Sequence, residues 1–167
     1  MERAIAAAEP EDVDLRDMLQ GCADAYRPLA GSRRFELDLP AEPLRMHCAP
    51  ELIAQALDKL FDNALSFTPS DGWLRLGLRA LADSGAEIEL ANQGPPLPAA
   101  MQGRLFDSLV SLRDKATPGD APHLGLGLYV VRLVAERHGG HASARNLEDG
   151  SGVAFSLALH HMPRARL

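Results

Sequence analysis

Apolar and polar positions along the chain fall into two periods. From Leu15 to Tyr26 the apolar residues Leu15, Met18, Leu19, Cys22, Ala23 and Tyr26 recur at steps of three and four. That spacing puts side chains on one face of a helix. An amphipathic helix beginning at Val13-Asp14-Leu15 is predicted, ended by Pro28 and Gly31. The pattern is stronger after Pro50-Glu51, where Leu52, Ile53, Ala56, Leu57, Leu60, Phe61, Ala64 and Leu65 form a broad apolar face. The turn cluster Thr68-Pro69-Ser70-Asp71-Gly72 stops that helix. A third helix is predicted over 126–137, before His138-Gly139-Gly140.

Elsewhere the period is two. Phe35, Leu37 and Leu39 alternate with polar neighbours and predict a strand over 34–39, and 44–48 reads as a second. Residues 73–81 and 87–91 are predicted strands joined by a hairpin at Asp83-Ser84-Gly85. Residues 142–146 and 152–159 are closing strands around Asp149-Gly150. Residues 92–98 read as a loop, 99–109 as partly helical, and 114–122 as a polar loop. Helices intermixed with hairpin-linked strands predict an α/β class fold. The architecture expected is a two-layer α/β sandwich, a mixed and mostly antiparallel sheet packed on three helices. Residues 1–10 are expected to be a linker or the end of an upstream helix, 11–160 one domain, and 161–167 a frayed tail.

Composition narrows the function. The chain has 167 residues, a net charge of −6 and no Lys/Arg-rich block, so a nucleic-acid partner is not expected. Cys22 and Cys48 stand far apart without Cys-x-x-Cys spacing, which argues against a metal cluster or a disulfide framework. No apolar run reaches the roughly 18 residues of a membrane span.

The candidate chemistry lies in Pro122-His123-Leu124-Gly125-Leu126-Gly127-Leu128, a Gly-x-Gly loop that opens a helix. Glycines let backbone approach phosphate oxygens, and the free N–H groups of a helix start favour an anion. Alone the pattern is weak. Two polar clusters precede it, Asp62-Asn63-Ala64 and Asn92-Gln93-Gly94-Pro95-Pro96.

Together these residues resemble the ATP-binding domain of sensor histidine kinases. Leu60 to Pro69 is similar to the family's N box, Asn92 to Pro98 to its first glycine box, Leu105-Phe106-Asp107-Ser108-Leu109 to its F box, and Leu124 to Leu128 to its second glycine box. The resemblance covers about residues 10–160 and implies the Bergerat ATP-binding fold. The wording of the boxes is similar to one proteobacterial subgroup associated with a dedicated sortase system.

The resemblance implies roles residue by residue. Asn63 would bind Mg²⁺ through its amide oxygen. Phe67 would stand by the adenine, with Leu97 lining the same pocket and Gly94 allowing the turn beneath the base. Gly125 and Gly127 would let backbone approach the phosphates, while Leu126 and Leu128 read mainly as packing residues. His123 and Leu124 belong to the same box, and Arg113 and Lys115 lie in the implied lid, residues 108–124. On residues alone, Asn63 reads as a helix-end cap and Phe67 as core.

Several positions depart from the family. Asn92 replaces the usual Asp that accepts the adenine amino proton; an amide that flips would weaken discrimination against guanine. Pro96 stands where a second Gly is usual. Lys59 replaces the first Asn of the N box and Ser66 a phosphate-contacting Lys. Seven residues keep Lys59 and Ser66 on one helix face, since two turns take about 7.2 residues, so Lys59 is expected to carry the displaced charge. Asp58 and Asp62 are candidate proton acceptors.

None of His47, His123, His138, His141, His160 and His161 has the His-Glu-x-x-x-Pro-like context of a phosphoacceptor; His138 reads as a helix C-terminal cation or cap. The implied function is thus ATP- and Mg²⁺-dependent transfer to a histidine on a dimerisation domain outside this chain, with a response regulator engaged through that domain. The isolated domain is expected to be monomeric and to be the cytoplasmic part of a membrane-anchored sensor. The alternative is a nucleotide-sensing module without phosphotransfer. A gyrase- or MutL-type ATPase is disfavoured because Lys59 is no substitute for a water-activating Glu. The Gly-x-Gly lacks the βαβ context of a dinucleotide binder.

Overall fold

The protein is described by a computed structural model covering residues 2–102, 104–107 and 124–166. The elements run α1 (Glu2–Ala7), β1 (Glu11–Asp14), α2 (Leu15–Ala30), β2 (Arg34–Asp38), β3 (Arg45–Cys48), α3 (Pro50–Phe67), β4 (Trp73–Ala80), β5 (Ala86–Gln93), α4 (Ala99–Gln102), α5 (Leu124–Arg137), β6 (His141–Asn146) and β7 (Gly152–Leu159). A five-stranded sheet has the order β2-β4-β5-β7-β6. β2 and β4 run parallel and the other pairs antiparallel. Leu74, Leu76 and Leu78 of β4 and Ile88 and Leu90 of β5 are buried toward α2, α3 and α5. Their alternate neighbours Arg75, Glu87 and Glu89 lie on the other, polar face. This is the expected two-layer sandwich, with period-two strands covered on one side by the three period-3.6 helices.

The helix α2 departs from expectation at its end. It passes through Pro28 to Ala30, and Gly31 at φ +63° terminates it. A proline in the last turn withholds an N–H from the carbonyl of exposed Asp24, which water can satisfy. Arg33 then closes two helix ends at once. Its guanidinium donates to the carbonyls of Ala30 (3.3 Å), Leu65 (3.4 Å) and Thr68 (3.1 Å). α2 and α3 are joined further by Tyr26, stacked on Phe61 at 4.1 Å.

The first and last described segments are seated on the domain. α1 rests on α5, with Ile5 buried and the Tyr129 hydroxyl donating to Glu2 at 3.0 Å. β1, polar and unpredicted, pairs antiparallel with β3. Of the segment expected to fray, His161, Met162 and Arg164 are held instead. The Met162 N–H donates to the His47 carbonyl at 2.8 Å, the His47 N–H to His161 Nδ1 at 3.1 Å, and Arg164 grips Asp12 with two bonds. Cys48 is fully buried, and burial pushes its thiol up to about 11.

His138 corrects another expectation, because it is no surface cation. It is 1% exposed, its Nδ1 lies 2.8 Å from the Val134 carbonyl, and its Nε2 accepts the Ala49 N–H at 3.1 Å. With Nε2 accepting, Nδ1 carries the proton and donates to Val134. The capping half of the expectation stands, and the ring also ties the end of α5 to the start of α3. Burial lowers its pKa from the ordinary 6.5; the Val134 bond opposes this and Arg137 adds to it. The unfolded chain therefore binds a proton near pH 6.5 that the folded chain refuses. The stabilisation is fully present above that pH and is lost as pH falls below it, by at most about 1.4 kcal/mol per pH unit. Urea unfolding of wild type and His138→Gln at pH 7.5 and 5.5 checks this: the wild type should lose more stability between the two pH values than the variant. Equal losses would refute the assignment.

Candidate functional site

α3 carries the site along one stripe. Lys59, Asn63 and Phe67 stand at steps of four, which keeps them on adjacent turns of one face. Asn63 is buried, yet its Oδ1 has no hydrogen-bond partner among the described residues. It does not cap the helix, because the C-terminal turn is closed by Thr68, whose N–H and hydroxyl both donate to the Ala64 carbonyl. A buried acceptor left unpaired costs about 1–3 kcal/mol, so the position is one that a cation or donor would stabilise. Phe67, 39% exposed, is not core; its ring lines a cavity.

That cavity, of about 180 Å³, lies between α3, β5, β7 and the 94–98 loop. Asn63, Phe67 and Asn92 supply its polar and aromatic lining, and Pro95, Pro96, Leu97, Pro98, Leu105, Leu128, Val153 and Phe155 its apolar walls. Asn92 belongs to β5 rather than to the predicted loop and is almost fully buried. Its Nδ2 donates to the Gln93 carbonyl at 3.0 Å, and no hydrogen bond to Oδ1 is seen among the described residues. Gly94 serves close approach rather than a left-handed turn. A Cβ there would stand 3.1 Å from Asn92 Nδ2 and 3.2 Å from the Phe67 carbonyl.

At the other end of the stripe the Lys59 stem runs along Gly127. A Cβ on Gly127 would meet Lys59 Cδ at 3.5 Å. The fold thus brings Lys59 beside the second glycine of the Gly-x-Gly. Ser66 is turned away from any such role, its hydroxyl donating to the Asp62 carbonyl at 2.9 Å. Asp58 accepts the Tyr26 hydroxyl at 2.7 Å and Asp62 is exposed; neither lines the cavity. Leu124, Gly125 and Leu126 open α5, and Leu128 is buried against the cavity. His123, Arg113, Lys115 and most of the implied lid lie outside the described residues.

Some lining residues were not singled out from sequence. Leu105 belongs to the F box but carries no polar signal of a site, and Phe106 packs edge-on against Phe155 at 6.3 Å. Val153 and Phe155 look like ordinary strand residues until β7 is placed beside β5. A larger hollow of about 410 Å³ crosses the opposite face of the sheet between the ion pairs Arg79–Glu87 and Arg145–Glu89. It contains none of the box residues.

Comparison with known proteins agrees with this geometry. Residues 48–162 match the model of the family described as "Histidine kinase-, DNA gyrase B-, and HSP90-like ATPase". The adaptive-response sensory kinase SasA of Synechococcus sp. (strain JA-2-3B'a(2-13)) is 30% identical over 155 residues, covering 90% of this chain and 40% of the relative. The chain thus spans well under half the length of that relative. Among solved structures, the nucleotide-free catalytic domain of histidine kinase ThkA superposes with a TM-score of 0.79 at 23% identity, covering 93% of this chain and 99% of that one. Full-length ShkA in complex with AMPPNP superposes with a TM-score of 0.78 at 20% identity, covering 99% of this chain and 35% of that one.

Proposed function

We propose that this chain, which belongs to the histidine kinase-, DNA gyrase B- and HSP90-like ATPase family and is the ATPase domain of a protein-histidine kinase, binds Mg·ATP along the Lys59–Asn63–Phe67 stripe. The γ-phosphate is then passed to a histidine on a dimerisation domain outside the chain. The observation that carries this reading is the buried, partnerless Asn63 Oδ1 beside an apolar cavity.

The residues present fit the cation. Mg²⁺ takes oxygen ligands and keeps several waters, and Asn63 offers one amide oxygen. Among the described residues no cluster of three or more His, Cys, Asp or Glu is placed to hold a metal. The rest of the ion's shell would be phosphate oxygens and water. Bound there, the ion would supply neutralisation of phosphate charge. The chain's own residues do the rest. Phe67 and the apolar walls exclude water around the base, Asn92 accepts from it, and Lys59, whose stem runs along Gly127, would offer its ammonium to the phosphates. The cavity is smaller than the roughly 300–1,000 Å³ of a whole small-molecule site, which suits its role as the base end alone. Among the described residues no side chain in it is placed to act as a base; the acceptor imidazole is the nucleophile, and catalysis consists of positioning and charge neutralisation.

ShkA was solved with AMPPNP, an ATP analogue, which supports the choice of ligand. The response regulator is engaged through the acceptor domain. A monomeric state for the isolated domain and a cytoplasmic position in a membrane-anchored sensor complete the proposal. The structure also bears on base selectivity. A flipped Asn92 amide would weaken discrimination against guanine, and the Nδ2 bond to the Gln93 carbonyl opposes that flip.

Titration calorimetry tests these points together. ATP should bind only with Mg²⁺, GTP should compete at least about tenfold more weakly, and Lys59→Ala should weaken ATP by about tenfold, the loss of one charge-assisted contact. Absence of ATP binding would favour a regulatory module whose altered boxes (Asn92, Pro96, Lys59, Ser66) have disabled the site. Equal competition by GTP would show that Asn92 does not read the base. Unchanged affinity in Lys59→Ala would remove Lys59 from the phosphate site.

A further inference from the structure

The wall formed by Pro95-Pro96-Leu97-Pro98 has an unusual backbone. Three of its four residues lack an N–H, so Leu97 carries its single backbone donor. That donor is taken by a side chain distant in sequence. Asn146 Oδ1 accepts the Leu97 N–H at 2.7 Å, and Asn146 Nδ2 donates to the Leu97 carbonyl at 3.0 Å. The amide thus reproduces the two-bond exchange that a neighbouring strand would make. Asn146 is also in register with the site. It pairs with Val153 across β6–β7, and Val153 pairs with Asn92 across β7–β5. Opposed residues in antiparallel pairs share a face, so Asn92, Val153 and Asn146 form one transverse row. Asn92 and Val153 line the cavity, and Asn146 holds its outer wall from the end of that row.

We propose that Asn146 is a positioning residue for the nucleotide site, presetting the proline-rich wall before ligand arrives by holding both backbone groups of Leu97. The proposal rests on the nucleotide reading above. Prolines remove most of the wall's freedom, and the amide removes the hinge left at Leu97. A preset wall binds without an ordering cost.

The test compares wild type, Asn146→Ala and Asn146→Asp by calorimetry with ADP and ATP, by hydrogen exchange of the Leu97 amide, and by urea unfolding. Asn146→Ala should weaken both nucleotides by about tenfold in equal ratio, because the wall meets the base end rather than the phosphates. Leu97 exchange should accelerate while core amides keep their protection. Asn146→Asp is isosteric and retains the acceptor for the Leu97 N–H, but turns the donor into an acceptor facing the Leu97 carbonyl. It should fold like wild type, protect the Leu97 amide better than Asn146→Ala does, and still bind nucleotide more weakly than wild type. A wild type that binds no nucleotide would overturn the nucleotide reading and this inference with it. A wild type that binds while both variants bind equally well would overturn this inference alone. So would a loss of affinity that merely tracks a loss of global stability.

Discussion

Asn63→Ala should abolish most Mg²⁺-dependent ATP binding while leaving the apo domain about as stable as wild type. The two halves have one cause. The Asn63 Oδ1 is buried without a partner among the described residues, an arrangement that costs about 1–3 kcal/mol. Truncation removes that penalty and gives up side-chain packing of similar size, so the unfolding midpoint should hardly move. On the proposed function the same oxygen would be a ligand of the Mg²⁺ that accompanies ATP. Outer-shell changes alone cost about 10–100-fold in metal affinity, and loss of a direct ligand should cost at least the upper end of that range. Calorimetry with and without Mg²⁺, beside urea unfolding, reads both. An ordinary core asparagine would show the opposite pattern, with stability lost and affinity kept, and that result would sink the metal role. Sites that bind by leaving polar groups unsatisfied often show this trade between stability and function.

Gly152→Ala should destabilise the domain by about 2–4 kcal/mol, the upper range of forced overpacking. A Cβ at Gly152 would run into the carbonyl group of Asn92 and crowd the Gln93 Cα at 3.2 Å. Both atoms are backbone in the paired neighbour β5, so no side chain can swing aside. Relief requires β7 to move from β5 at the Gln93–Gly152 row, next to the one that carries Asn92, and nucleotide binding should weaken beyond the change in stability. Gly21→Ala is the control. Nothing lies within 4 Å of its Cβ position on exposed α2, and it should stabilise by roughly 0.5–1 kcal/mol. Chemical denaturation of the two variants checks the contrast. A Gly152→Ala domain as stable as wild type would show that the β5–β7 spacing yields to a Cβ at this position.

The contrast between these glycines shows where sequence reading stops. All glycines look alike in a string. Gly94, Gly125 and Gly127 stood out because they lie in boxes with a recognisable order. Gly152 did not, because its constraint comes from Asn92, sixty residues away in the chain and adjacent across the sheet.

What the sequence by itself determined is local in origin. The apolar stripes of α2, α3 and α5, the hairpin at Asp83-Ser84-Gly85 and the alternation of β2 and β4 follow from neighbours within a few residues. So do the boxes, whose order also identified the family. Tertiary structure alone decided what depends on distant partners. β1 is polar and becomes a strand only because β3 offers its edge. α2 runs through Pro28 because Arg33 and Gly31, rather than the proline, close it. The tail is held by His47 and Asp12, and His138 is neutral because two helices bury it. Asn63 as an orphan acceptor, Lys59 beside Gly127 and Asn146 clasping Leu97 are likewise facts of packing. Periodicity encodes which face of an element is apolar, but hydrogen-bond and charge complementarity between remote elements leaves no periodic trace, so only the folded chain reveals it.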